Sequence, residues 1–146
     1  MSTPDGAPAE APTRDVVSVR LPASGAYLAV LRTTTASLAA RLDFTLDEIE
    51  DLRIAVDEAS ALLIAGAVEG ADLTSVFEMS ADSIHISVST MTAGGTQGSS
   101  SSSAPARDSF AWTVLSALAG EVDAWTDPDG RQTISLVKHR LRDAAT

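Results

Sequence analysis

The segment LDEIEDLRIAVDEASALLIAGA, Leu46 to Ala67, constrains the fold more than any other part of the chain. Thr45 stands just before it, and Glu48 follows three residues after Thr45. A Thr hydroxyl and a Glu carboxylate at that spacing can each accept from the other's backbone amide, which is a capping box. Asp47 and Glu48 also put negative charge at the positive end of the helix dipole. The pattern predicts a helix starting at Thr45 and running to about Ala67. At about 100° per residue, Ile49, Leu52, Val56, Ala59 and Leu63 form one apolar stripe. From Ala59 to Val68 there is no charged residue, and Ile54, Ala55, Ala61, Leu62 and Ala65 carry apolar surface around much of the remaining circumference. Such a helix has to be covered on both sides. Asp57 and Glu58 stand where the charge stops. Glu58 points roughly opposite Ile49, so it is expected over a cavity or at its rim rather than on open surface.

The elements around this helix follow from local signals. VVSVRL, Val16 to Leu21, alternates apolar and polar and reads as a strand ended by Pro22. Ser24 can cap a helix reaching about Arg41, with Leu28, Leu31, Leu38 and Leu42 on its buried side. Thr33, Thr34 and Thr35 weaken that helix intrinsically, so packing must compensate. LTSVFEMS, Leu73 to Ser80, and SIHISVSTM, Ser83 to Met91, both alternate across a short connection and predict a hairpin. DSFAWTVLSALAG predicts a third helix, capped by Asp108 or Ser109 and stopped by Gly120. EVDAWTD, the turn DPDG and RQTISLVKHRL predict a second hairpin. The order β-α-α-β-β-α-β-β implies an α+β two-layer sandwich, a mixed sheet with three helices on one face. Residues 15–141 form one domain in this reading. Residues 1–14, rich in Pro and Ala, and 142–146 are tails, and 92–107, with its serine run, is a flexible insert.

Composition narrows the function. The 146 residues fit one domain, and 45% hydrophobic content fits a globular one. Only six residues are aromatic (Trp 2, Tyr 1, Phe 3), so the core must be aliphatic. The absence of cysteine removes disulfides and thiolate metal sites and suits a reducing cytosol, which makes the cytoplasm the expected compartment. With only His85 and His139, a His-based metal site is not expected. A net charge of −10 opposes binding to phosphate backbones, so direct nucleic-acid binding is not expected. The N-terminus has no apolar h-region, and no run of about 18 apolar residues occurs, so neither a signal peptide nor a membrane span is expected.

The stretch LRTTTASLAARLDFTLDEIEDLRIAVDEA resembles the corresponding segment of bacterial anti-sigma factors of the RsbW/SpoIIAB type, in the GHKL or histidine-kinase-like ATPase superfamily. SFAWTVLSALA is similar to the third helix of the actinobacterial branch, and the resemblance covers about residues 16–141. It implies the Bergerat, or GHKL, fold. It also implies a homodimer that sequesters an alternative sigma factor and binds a STAS-domain anti-anti-sigma protein. In kinase members, ATP and Mg serve to phosphorylate that antagonist on serine. Glu58 matches the family's catalytic Glu, which accepts the proton of the attacking hydroxyl. Arg32 aligns with a helix-one arginine used at the partner interface. Thr133 falls where the family has a polar residue near adenine, and Gly94, Gly95 and Gly98 could let backbone approach phosphate.

The sequence departs from the kinase pattern at three places. Four residues after Glu58, where kinase members have an Asn that ligates Mg, position 62 is Leu. After Met91, where the family has an Asp that reads the adenine amino group, TMTAGGTQG contains no acidic residue. At the start of the last helix a Gly-rich phosphate cradle is replaced by RDSFAW, which brings Asp108 and the bulk of Phe110 and Trp112. These departures imply that nucleotide binding is weakened or lost. The leading reading is therefore a sigma-binding protein acting by stoichiometric occlusion. The alternative is an active serine kinase on the STAS antagonist, and a third reading is a degenerate GHKL module that regulates another kinase. Read without the family, Glu58 is an ordinary helix glutamate at the edge of a buried face, Arg32 an exposed helix arginine, His85 a solvent-face strand residue and Trp112 core. Trp125 is either core or half exposed.

Overall fold

A computed structural model describes residues 14–93 and 109–141, and the expected tails and nearly all of the expected insert lie outside the described residues. The elements in chain order are β1 (Asp15–Pro22), α1 (Leu28–Arg41), α2 (Leu46–Ala65), β2 (Asp72–Met79), β3 (Ser83–Met91), α3 (Phe110–Leu118), β4 (Glu121–Thr126) and β5 (Arg131–His139). The five strands form one sheet in the order β1-β2-β3-β5-β4. This is the expected α+β sandwich.

The pairing differs from the mixed sheet expected, because every bonded pair is antiparallel. The connections explain why. α1 and α2 form a helical hairpin that returns the chain to the end where β1 finished, so β2 runs back beside it. α3 is a single crossover, which makes β4 run in the same direction as β3. β5 then inserts between those two, so strands that run in the same direction are never hydrogen-bonded neighbours.

The core lies between the helices and one face of the sheet. Leu52, Ala55, Val56, Ala59 and Leu63 of α2 are fully buried against Phe77, Ile84, Ile86, Val88, Ile134 and Leu136. These are the α2 stripe and the alternating strand positions, and Phe77 is the only aromatic side chain that is completely inside. In α1 two of the three threonines are accommodated locally. Thr34 Oγ1 donates to the Val30 carbonyl at 2.9 Å and the buried Thr35 Oγ1 to Leu31 at 2.8 Å, so neither hydroxyl goes unpaired. Ser24 caps a short 3-10 turn, Gly25–Tyr27, ahead of α1 rather than α1 itself.

The capping box forms as expected. The Glu48 amide donates to Thr45 Oγ1 at 3.1 Å, and the Thr45 amide to Glu48 Oε1 at 2.7 Å. α2 stops at Ala65, earlier than expected, because Ala67 leaves the helix to bridge Thr92. Thr92 was expected in the insert but belongs to the fold. It is buried, and its amide and hydroxyl both donate to the Gly130 carbonyl, at 2.9 and 2.7 Å.

Candidate functional site

The two carboxylates in the middle of α2 face different ways. Adjacent helix residues diverge by about 100°, and the neighbours of Asp57 and Glu58 fix the direction of each. Asp57 leans toward α1, where Arg32 Nη1 donates to its Oδ1 at 2.8 Å. Glu58 lies on the other shoulder. Asp51, seven residues before it on the same face, pairs with Lys138 Nζ at 3.6 Å, and Lys138 donates to the Leu118 carbonyl at the end of α3 at 2.8 Å. The shoulder carrying Asp51, Glu58 and Leu62 therefore faces the α3 side of the molecule. Glu58 is half-buried, and its carboxylate makes no hydrogen bond or ion pair among the described residues.

Among the described residues, the other expected site residues do not gather around Glu58. Leu62 is half-buried and packs against the core, so hydrocarbon occupies the place where a metal ligand was sought. Thr133 pairs in register with Ser89 and Trp125, on the face of the sheet that bears no helix. Strand alternation puts Gln132, not Thr133, on the helix-bearing face, paired with Thr90. The one-residue offset sends Thr133 away from Glu58. Gly94, Gly95 and Gly98 lie outside the described residues, as does Asp108. At the start of α3, Ser109 Oγ accepts from the Trp112 amide at 3.1 Å, so the chain itself caps one of the amides that a phosphate would use. Trp112 is buried, while Phe110 is 83% exposed and turned out to solvent.

This donor set does not fit a magnesium nucleotide. Magnesium needs near-octahedral oxygen ligation, and of the two carboxylates on the α3-facing shoulder Asp51 is paired with Lys138 while Glu58 stands beside a leucine. No group of three or more His, Asp or Glu side chains suited to a metal occurs among the described residues.

Two arrangements were not legible in the sequence. One is the Arg32–Asp57 pair, which depends on how far α1 and α2 slide past each other. The other lies on the open face of the sheet, where His85 Nε2 is 2.7 Å from Ser135 Oγ and its Nδ1 is 3.7 Å from Glu78. His85 and Ser135 border a depression with Glu121 and Asp123. His85 is on the solvent face as expected. Trp125, on the same face, is 42% exposed.

No family model matches the chain. It is 35% identical over 105 residues to the anti-sigma-F factor RsbW of Mycobacterium tuberculosis, covering 72% of this chain and 57% of that protein. It is 37% identical over 60 residues to the serine-protein kinase RsbW of Bacillus pumilus, covering 41% of this chain and 37% of that protein. It spans about half the length of the curated relatives it matches. A crystal structure of the RsbU and RsbW domains of a Mycobacterium tuberculosis protein superposes with a TM-score of 0.63 at 14% identity, over 89% of this chain and 33% of that one. The architecture, with three helices on one face of a five-stranded antiparallel sheet, is thus a GHKL-like sandwich. Within that class, the chain is similar in sequence and in fold to RsbW-type proteins.

Proposed function

We propose that this protein is an anti-sigma regulator that acts by stoichiometric occlusion within a partner-switching system. It captures an alternative sigma factor, and a STAS-domain anti-anti-sigma protein competes for it. The observation that carries this reading is the similarity to a protein named anti-sigma-F factor, which extends over 72% of this chain. The geometry beside Glu58 supports occlusion rather than catalysis. Leu62 packs where a metal ligand would stand beside Glu58, and Asp51 on the same shoulder is held by Lys138. Arg32 belongs to the partner surface in this reading, and the working unit is a homodimer in the cytoplasm.

The net charge of −10 suits the role. Sigma factors present basic surfaces to DNA, and an acidic protein is steered toward them and masks them. The test is co-purification of the full chain with candidate sigma factors in the absence of nucleotide, together with calorimetric titration of Mg-ATP. Sigma capture without nucleotide and no heat from Mg-ATP is the expected result. Micromolar Mg-ATP binding, with serine phosphate on a co-expressed STAS protein, would replace this reading with the kinase one. Failure to capture any sigma factor would remove the anti-sigma reading.

A further inference from the structure

We propose that the two outer edges of the sheet pair with each other between molecules, β1 of one copy adding antiparallel to β4 of the next. This pairing is separate from sigma capture and does not depend on it.

β1 and β4 are the outermost strands, and among the described residues neither has a partner on its outer side. Such edges present unpaired backbone donors and acceptors that extend a sheet into another molecule unless side chains oppose it. On β1, Val17, Val19 and Leu21 pack against the core, so Val16, Ser18 and Arg20 stand on the open face. Arg14 continues that row just before the strand. On β4, Val122 and Ala124 pack against the core, so Glu121, Asp123 and Trp125 stand on the open face, and Asp127 continues the row. On that face the β1 edge carries cations and no acid, and the β4 edge acids and no cation. Pairing β1 with a second β1, or β4 with a second β4, therefore brings no opposite charges together there.

The unlike edges match in one register. Residues directly opposite in an antiparallel pair share a face. Setting Ser18 opposite Asp123 satisfies this and places Arg20 opposite Glu121, Val16 opposite Trp125 and Arg14 opposite Asp127. On the helix-bearing face the same register sets Val17 opposite Ala124 and Val19 opposite Val122. Val16 is 56% exposed and Trp125 42%, so each edge holds one large apolar side chain that the other covers. Opposite-charge and aromatic–β-branched pairs are those that stabilise neighbouring strands. The surrounding charges leave the match in place. Arg20 and Arg14 lie 3.6 and 3.5 Å from Asp72 and Glu78 of β2, and Glu121 lies 3.8 Å from His139 of β5. All three are solvent-accessible pairs, weak enough to share with a second partner. Asp15 is on the helix-bearing face opposite Thr126, which is uncharged. Arg131 of β5 donates to Ser89, and its amide to the Asp129 carboxylate.

A contact between two different surfaces is heterologous, and every added copy leaves a free β1 at one end and a free β4 at the other. Strand twist of about 20–25° accumulates to roughly 100–125° across a five-stranded protomer, so growth gives an open twisted chain.

The experiment measures the weight-average mass of the full chain by sedimentation over about a hundredfold range of concentration, at about 50 and about 500 mM salt. The expected result is a mass that climbs at low salt without levelling at one oligomer, and several-fold less growth at high salt. An isologous homodimer through another surface would stay fixed and only set the starting mass. Arg20→Glu or Glu121→Arg alone puts like charges opposite each other and suppresses growth. An equimolar mixture of the two variants, or the double variant, restores it, and circular dichroism confirms each fold. The chain has no cysteine, so Ser18→Cys with Asp123→Cys reports the register. Oxidation should give a ladder of multimers, whereas either cysteine alone gives dimers at most. The two positions cannot bridge within one molecule, being four strand spacings or about 19 Å apart. A mass constant with concentration at low salt, growth untouched by either charge reversal, failure of the exchanged charges to restore it, or absence of the ladder would each overturn the pairing.

Discussion

Glu48 shows how much a single residue can hold together here. Its two oxygens are divided between distant parts of the chain. Oε1 accepts from the Thr45 amide at the start of α2, and Oε2 from the Leu141 amide beyond the end of β5 at 2.9 Å. Burial pushes this carboxyl up. The hydrogen bonds from Thr45 and Leu141 and the nearby Lys138 charge outweigh burial, and the net effect holds it below the ordinary carboxylate value. A carboxylate whose pKa is lowered on folding stabilises the protein above its unfolded pKa of about 4.3 and loses that contribution as pH falls through the folded value. Replacing Glu48 with Gln should therefore cost about 1–2 kcal/mol at neutral pH and flatten the acid limb of the stability curve, measured by urea unfolding from pH 7 down to about pH 3. An unaltered acid limb would mean that the carboxylate is not the group responsible. Leu62 permits a second prediction. Because it packs against the core, Leu62→Asn should lower stability by about 1–3 kcal/mol. It should not create Mg-ATP binding, since one added amide does not supply the missing adenine-reading carboxylate. Thermal unfolding with and without Mg-ATP reads both effects.

Among the elements, α3 depends most on its two ends. It is nine residues long, too short to be stable alone. Ser109 caps its first turn. At the other end, Lys138 reaches across from β5 to the Leu118 carbonyl while also pairing with Asp51 of α2, so one cation joins three elements at the negative end of a helix dipole. Lys138→Met keeps the hydrocarbon stem and removes only the charge. It should cost about 1–2 kcal/mol and raise amide exchange in α3 much more than in α1. Equal protection in both helices would show that the lysine serves only as packing. α1 and α2 are held differently, through the apolar seam between them and the Arg32–Asp57 pair.

At the scale of the whole molecule, one face of the sheet carries the three helices, and the other carries none among the described residues. The bare face explains why Thr133, His85 and Trp125 lie apart from Glu58. The acidic surface leads to a prediction of its own. If long-range attraction brings the chain to a basic sigma surface, the association rate should fall several-fold between about 50 and 300 mM salt, while dissociation changes less. Stopped-flow association across that range decides the matter, and a rate indifferent to salt would mean that the charge serves solubility alone.

The sequence alone determined the elements, because their signals are local. The capping box at Thr45 and Glu48, the α2 stripe and the period-two strands each depend on neighbours a few residues away, and each formed where expected. The half-burial of Glu58 was legible for the same reason, since the angle around a helix follows from spacing. Tertiary structure decided what spacing cannot express. The insertion of β5 between β3 and β4 made the sheet wholly antiparallel. The register of β5 turned Thr133 to the far face. The offset between α1 and α2 joined Arg32 to Asp57 across 25 positions of sequence. A local pattern fixes which way a side chain leaves its own helix or strand, but only the packing of elements against one another fixes what it meets there.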